Sequence, residues 1–181
     1  MSIVAIISSP RANSNTGALV DAAIEGAKEN GHDVKVFKIN AMKDKRGCQA
    51  CNGCKKAGKC VIKDELSPIY DAIREADGLI VSAPVYFGEA CGQYRLFEDR
   101  LFGYVNADFS TNLAPGKKAA VFTTAGTAGA EELAAKMGKV LSGFFKIDVI
   151  GSMGVITQNA PDYVKTHPEI LAQAKEIGKK F

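Results

Sequence analysis

Two short apolar runs constrain this chain more than anything else in it. Residues 3–7 (IVAII) and 78–83 (GLIVSA) are apolar almost continuously, not at alternate positions. A strand with one wet face alternates with period two, so runs of this kind belong to strands covered on both faces, as in a parallel sheet between two helical layers. Residues 118–123 and 148–156 supply two more strands, and Val34, Val36 and Ile39 mark a fifth. Helical periodicity fills the gaps. Leu19, Val20, Ala23, Ile24 and Ala27 share one face ahead of Gly31, and Leu66, Ile69, Tyr70 and Ile73 share another, with Asp64 as the expected N-cap. A third helix is predicted from about Cys91 to Gly103. A fourth carries Ala130, Leu133, Ala134, Met137, Leu141 and Phe144, and a last one opens at Pro168 with Ile170, Leu171, Ala174 and Ile177. Five strands alternating with five helices predict an α/β fold, a doubly wound α/β/α sandwich around a five-stranded parallel sheet of order 2-1-3-4-5.

The 181 residues suit one domain, 1–181, with residues 43–63 inserted after the second strand. A composition 46% hydrophobic and 24% charged excludes disorder, and a net charge of +3 is too balanced for a dedicated nucleic-acid binder. No apolar run approaches the ~20 residues of a membrane span. The apolar N-terminus has no basic stretch before it and runs into turn residues, so it reads as a strand and not a signal peptide. The expectation is a soluble, cytoplasmic protein without nucleic-acid or membrane partners.

In an open sheet of this order, ligands bind beyond the carboxyl ends of the first and third strands. The loop leaving the first strand is Ser9-Pro10-Arg11-Ala12-Asn13-Ser14-Asn15-Thr16-Gly17, rich in hydroxyls and running straight into a helix. Free amides, the positive helix end and hydroxyl donors make a phosphate seat there. Neither a Walker A loop nor G-x-G-x-x-G is present, and the pattern suits a terminal phosphate monoester better than a pyrophosphate. The third-strand loop, Ala83-Pro84-Val85-Tyr86-Phe87-Gly88, offers a rigid backbone and flat apolar surfaces beside that seat. Thr124-Ala125-Gly126-Thr127-Ala128-Gly129 follows the fourth strand at the same edge. Read singly, the first loop is also an ordinary helix cap and the last an ordinary glycine turn; three compatible loops at one edge favour a site.

SSPRANSNTG, APVYFGEACGQYRLFEDR and TTAG, in this order, resemble the flavodoxin-like NAD(P)H-dependent FMN reductase superfamily over nearly the whole chain. The resemblance implies a flavodoxin-like fold, with Ser9, Arg11, Ser14, Asn15 and Thr16 holding an FMN phosphate. It implies that Pro84, Val85, Tyr86, Phe87 and Gly88 border the isoalloxazine ring, with Thr124 and Gly126 on its other side. A nicotinamide donor, NAD(P)H, would stack on the flavin and needs no motif of its own. Asp99-Arg100 matches the family's helix motif, and an intrahelical or interfacial ion pair is the expected role of those two.

Four of the five cysteines lie between Cys48 and Cys60, and such clustering in a cytosolic chain points to metal or redox chemistry rather than to a disulfide framework. Cys48-x2-Cys51-x2-Cys54-x5-Cys60 is tighter than the two separated knuckles usual for zinc and resembles the wrapping of one [4Fe-4S] cube. The last gap is five residues, followed by Val61, so this is not a ferredoxin run. Gly53 and Gly58 would allow a tight fold around the thiols. Zinc and free thiols remain alternatives. The compact run within such a chain is similar to the iron-sulfur flavoproteins of anaerobic microbes, and Cys48, Cys51, Cys54 and Cys60 match that group's ligand positions. This resemblance implies FMN and a [4Fe-4S] cluster in each subunit of a homodimer or homotetramer that receives electrons from a ferredoxin-like carrier. Seven basic residues against Asp44 alone put a net +6 in 43–63, suited to a reduced cluster and to an acidic partner.

Cys91 is expected to be a small core or flavin-adjacent residue. His32 and His167 do not look catalytic, and no Ser-His-Asp set or separated carboxylate pair points to hydrolysis. Phe102, Tyr104 and Phe109 are open between covering the flavin, contacting a second subunit and packing the core. The leading expectation is an FMN-dependent oxidoreductase that passes electrons from a ferredoxin-like donor through a cluster to FMN and on to an acceptor. The alternatives are an NAD(P)H-dependent FMN or quinone reductase without a cluster, and a flavodoxin-like carrier with no substrate of its own.

Overall fold

The structure, a computed structural model, describes residues 1–181. Strands β1 (Ser2–Ile7), β2 (Asp33–Lys38), β3 (Gly78–Tyr86), β5 (Lys118–Ala125) and β6 (Asp148–Ile156) pair in parallel in the order β2-β1-β3-β5-β6. A two-residue strand, β4 (Glu89–Ala90), folds back antiparallel on the end of β3. Leaving that short strand aside, the order is the expected 2-1-3-4-5.

The continuous apolar runs explain the layers. In β1, Ile3, Ala5 and Ile7 point to one face and Val4 and Ile6 to the other, and each set joins a separate buried cluster. The smaller cluster packs under α1 (Asn15–Glu29) and α6 (Pro168–Gly178); the larger lies under α3 (Ser67–Glu75), α4 (Gly92–Glu98) and α5 (Ala130–Phe145). With both faces filled, no position from Ile3 to Ile7 tolerates a charge, which is why this run lacks alternation.

Helices α1 and α6 touch backbone to backbone. A Cβ at Gly26 would run into the Lys175 carbonyl, and one at Gly178 into the Ala23 carbonyl. Gly178→Val therefore forces the pair apart, and the expected cost is about 3 kcal/mol. For a chain of this size that is a fall in Tm of about 10 °C, read by thermal unfolding.

Three local expectations differ from the structure. Ile39 leaves the second strand and is buried in a 3-10 turn (Ile39–Ala41). Leu66, not Asp64, precedes α3, because the Asp64 carboxylate is committed elsewhere. The predicted helix 91–103 is α-helical only to Glu98 and tightens into a 3-10 helix over Asp99–Tyr104. Within that 3-10 helix, a Cβ at Gly103 would lie 2.8 Å from the Cys60 backbone nitrogen, so the chain passes directly over the cysteine segment. That segment contains one short helix, α2 (Gly53–Ala57), between Asn52 and Gly58, both in the left-handed region. No helix is long and apolar enough to cross a membrane.

Candidate functional site

At the carboxyl edge of the sheet, one pocket is walled by the last residues of β3 and β5 and by the loops after β1, β5 and β6. Of the twelve flavin-site candidates, Ser9, Arg11, Ser14, Asn15, Thr16, Pro84, Val85, Tyr86, Thr124 and Gly126 line it. Phe87 and Gly88 do not. They form the turn between β3 and β4, both at positive φ, with Phe87 fully exposed beyond the pocket rim. The antiparallel return of β4 lifts these two residues off the edge of the sheet. Ala125, Thr157 and Asn159 also line the pocket and were not expected. The polar run Thr157-Gln158-Asn159 follows an apolar strand exactly as the first loop does, and that signal marks the loop after β6 as a fourth wall.

The side chains of the first loop are less free than their sequence suggests. Ser14 Oγ accepts from the Gly17 amide at 3.0 Å and caps α1. Asn15 donates to the Ala160 carbonyl at 2.8 Å and accepts from the Val164 amide at 2.9 Å, clamping the 157–164 loop onto the helix. Thr16 Oγ1 and Thr124 Oγ1 share a buried hydrogen bond of 2.6 Å that ties the first and third loops together. Ser9 Oγ accepts from the Arg11 amide at 3.2 Å. Ser9 and Ser14 only accept in these bonds, so their hydroxyl hydrogens stay free, and the backbone adds further donors: the amides of residues 12–16 make no hydrogen bond within the protein. Five consecutive open amides at the head of a 15-residue helix, with the exposed Arg11 guanidinium nearby, form an anion seat. These donors fit a phosphate monoester, and the apolar Pro84–Val85 wall beside them fits a flat ring.

Cys91 lies under this edge. Its buried thiol donates to the Ser8 carbonyl at 3.2 Å, and burial pushes its pKa up. It is a core residue that supports the first loop, as expected. Phe102, Tyr104 and Phe109 stay away from the pocket. Tyr104 is in the core, bonded to the Tyr70 carbonyl, while Phe109 is exposed.

The four clustered cysteines line a second cavity together with Val61, Ile62, Arg100, Phe102 and Gly103. Cys48 and Cys51 are exposed, Cys54 and Cys60 half-buried, and the sulfurs are not drawn into a group already arranged around an ion. The donor set is nonetheless uniform: no histidine or carboxylate lines the cavity, and four thiolates are what an iron-sulfur cube uses. Of the local cations, Lys55 lies 3.5 Å over the Phe102 ring and Lys59 pairs with Asp71 at 3.1 Å, whereas the Lys43, Lys56 and Lys63 side chains are exposed.

Arg100 closes this cavity from the core side. It is not paired with its neighbour Asp99, which bonds to Arg95 at 3.2 Å within the helix. Arg100 Nη1 reaches both Asp64 oxygens, at 2.8 and 2.6 Å, and both side chains are fully buried. Asp64 also accepts from the Arg46 and Leu66 amides and the Ser67 hydroxyl. Burial alone would raise the Asp64 pKa, but these bonds outweigh it and hold the carboxyl below its usual range.

Residues 1–162 match the model of the NADPH-dependent FMN reductase family, and the chain belongs to that family. It is 38% identical to an iron-sulfur flavoprotein of Methanocaldococcus jannaschii over 100 residues, which are 55% of this chain and 51% of that one. A second iron-sulfur flavoprotein, from Archaeoglobus fulgidus, is 28% identical over 183 residues, covering 100% of this chain and 79% of that one. Against the Methanocaldococcus protein and a similar one of Methanosarcina thermophila, the match spans about half of their length, 51% and 52%. Among solved structures, an NAD(P)H:quinone oxidoreductase from Methanothermobacter marburgensis superposes with a TM-score of 0.75 at 19% identity, over 99% of this chain and 96% of that one. The azoreductase AzrA superposes at 0.72 and 18% identity over the full length of both chains. These likenesses establish the flavodoxin-like fold.

Proposed function

We propose that this protein is an FMN-dependent oxidoreductase of the iron-sulfur flavoprotein kind. In this reading a ferredoxin-like carrier is the electron donor, and Cys48, Cys51, Cys54 and Cys60 hold a [4Fe-4S] cluster. When bound, FMN would supply two-electron chemistry and the cluster one-electron chemistry, so that together they connect single-electron donors to two-electron acceptors. The observation that carries the flavin is the row of open amides at residues 12–16, of which 14–16 line a pocket also walled by Pro84, Val85, Thr124 and Gly126. Those amides would seat the phosphate, while the Thr16–Thr124 and Asn15–Ala160 bonds hold the loops that shape the ring site. What supports the cluster is the single cavity shared by all four thiols, together with the iron-sulfur flavoproteins among the relatives. The exposed Lys43, Lys56 and Lys63 suit docking by an acidic carrier. Assembly as a homodimer or homotetramer belongs to the reading, supported by the exposed Tyr86 and Phe87 beside the pocket.

An NAD(P)H-dependent FMN or quinone reductase is the second reading, favoured by the family's description. Anaerobic purification followed by iron, sulfide, zinc and flavin assays on one sample separates the two: about four irons and four sulfides per FMN support the first. FMN without iron after attempted reconstitution leaves the second. The phosphate seat has its own test. FMN should bind far more tightly than riboflavin, and Arg11→Ala should weaken FMN about tenfold, equivalent to about 1.4 kcal/mol, while leaving riboflavin unchanged. Equal losses for both ligands in a fluorescence titration would place the phosphate elsewhere.

A further inference from the structure

The Arg100 side chain is fully buried and reaches the thiol cavity, yet one of its donors is unused. Nη1 serves Asp64 and the Arg46 carbonyl, and Nη2 donates to the Ile62 carbonyl at 3.3 Å. The guanidinium carbon lies 4.8 Å over the Tyr70 ring, which fixes the plane of the group. Nε, wholly buried, finds no partner in the protein. A buried N–H left unpaired forfeits its hydration with nothing in return, so its place in the fold calls for an acceptor. The neighbouring acceptor is sulfur: Cys60 lines the same cavity as this guanidinium, and its backbone packs against Gly103.

We propose that Arg100 is a positioning and tuning residue for the cluster, its Nε–H donating to the Cys60 sulfur once that sulfur ligates iron. The inference rests on the cluster reading above. Hydrogen bonds to cluster sulfurs stabilise the more negative, reduced state, so this donor raises the reduction potential. Asp64 sets the effect twice over: it orients the fork of the guanidinium and cancels most of its charge. What remains toward the thiols is a directed N–H dipole.

Two measurements on the holoprotein test this, neither of them an activity. Arg100→Lys keeps the positive charge for Asp64 but removes Nε–H. An EPR-monitored redox titration should show its reduced-to-oxidised ratio at a fixed potential lowered about tenfold relative to the unsubstituted protein, equivalent to about 59 mV for one electron. A purely structural Arg100 would cost iron content or Tm without moving the potential of the clusters that form; an unchanged potential overturns the inference. The second measurement needs no substitution. Protein labelled with 15N-arginine and reduced should show 15N hyperfine coupling to the cluster by pulsed EPR, and absence of coupling overturns the proposal even if Arg100→Lys assembles no cluster. Failure of the unsubstituted protein to take up iron is a separate result. It removes the cluster reading, and this inference with it.

Discussion

Cys54→Ser should remove most of the iron and leave FMN at one per chain. The four thiols line a cavity closed by Arg100, Phe102 and Gly103, whereas the pocket proposed for the flavin is built by the ends of β3 and β5 and the loops after β1, β5 and β6, and the two share no lining residue. A serine oxygen is a harder, more basic ligand than thiolate, and iron-sulfur cubes prefer sulfur. The expected iron content after anaerobic reconstitution is about a tenth of the unsubstituted value, with flavin absorbance and riboflavin discrimination unchanged. Joint loss of both cofactors would contradict two independently built sites.

The second large effect concerns stability. Arg100→Met leaves the fully buried Asp64 carboxylate without its partner, and the expected destabilisation is about 3–5 kcal/mol. Adding Asp64→Leu should restore much of that loss, because a buried pair replaced by apolar groups of similar size is often neutral. Chemical denaturation of the three proteins, with and without iron, checks it; a double variant as unstable as the single one would mean that the pair is not the cause. Acid gives an independent check. The Asp64 pKa is lowered in the folded state, so its contribution is fully present above the ordinary carboxylate range near 3.8 and is lost as pH falls through the lowered value. The double variant lacks this contribution and should have the flatter stability profile at the acid end.

The two cases also show which parts of the structure can be read from the amino-acid order. The layers follow from runs such as 3–7, since an unbroken apolar run has one physical explanation, burial on both sides. The pocket at the sheet edge was legible because strand order brings these segments to one edge and each carries its own polar signature. Where residues act through distant partners, the reading failed. Asp64 and Arg100 are 36 positions apart, and no periodicity links them; Arg100 has an adjacent aspartate that looks like the natural partner. Asn15 and Thr16 carry the residue types of a phosphate site, and their side chains also hold residues 160–164 and 124. Only tertiary contacts show that the backbone amides of residues 12–16 are open donors as well. The displacement of Phe87 and Gly88 depends on a two-residue strand too short to carry a pattern.

The passage of Gly103 over Cys60 has a consequence for biogenesis. During translation the cysteines at 48–60 leave the ribosome well before residues 100–103, which form the inner wall of their cavity. A nascent chain released only through Cys60 displays four thiols on an unwalled, lysine-rich segment, open to any metal or oxidant it meets. Completion of the cavity waits for about forty more residues of synthesis, roughly 2–8 s at ordinary elongation rates.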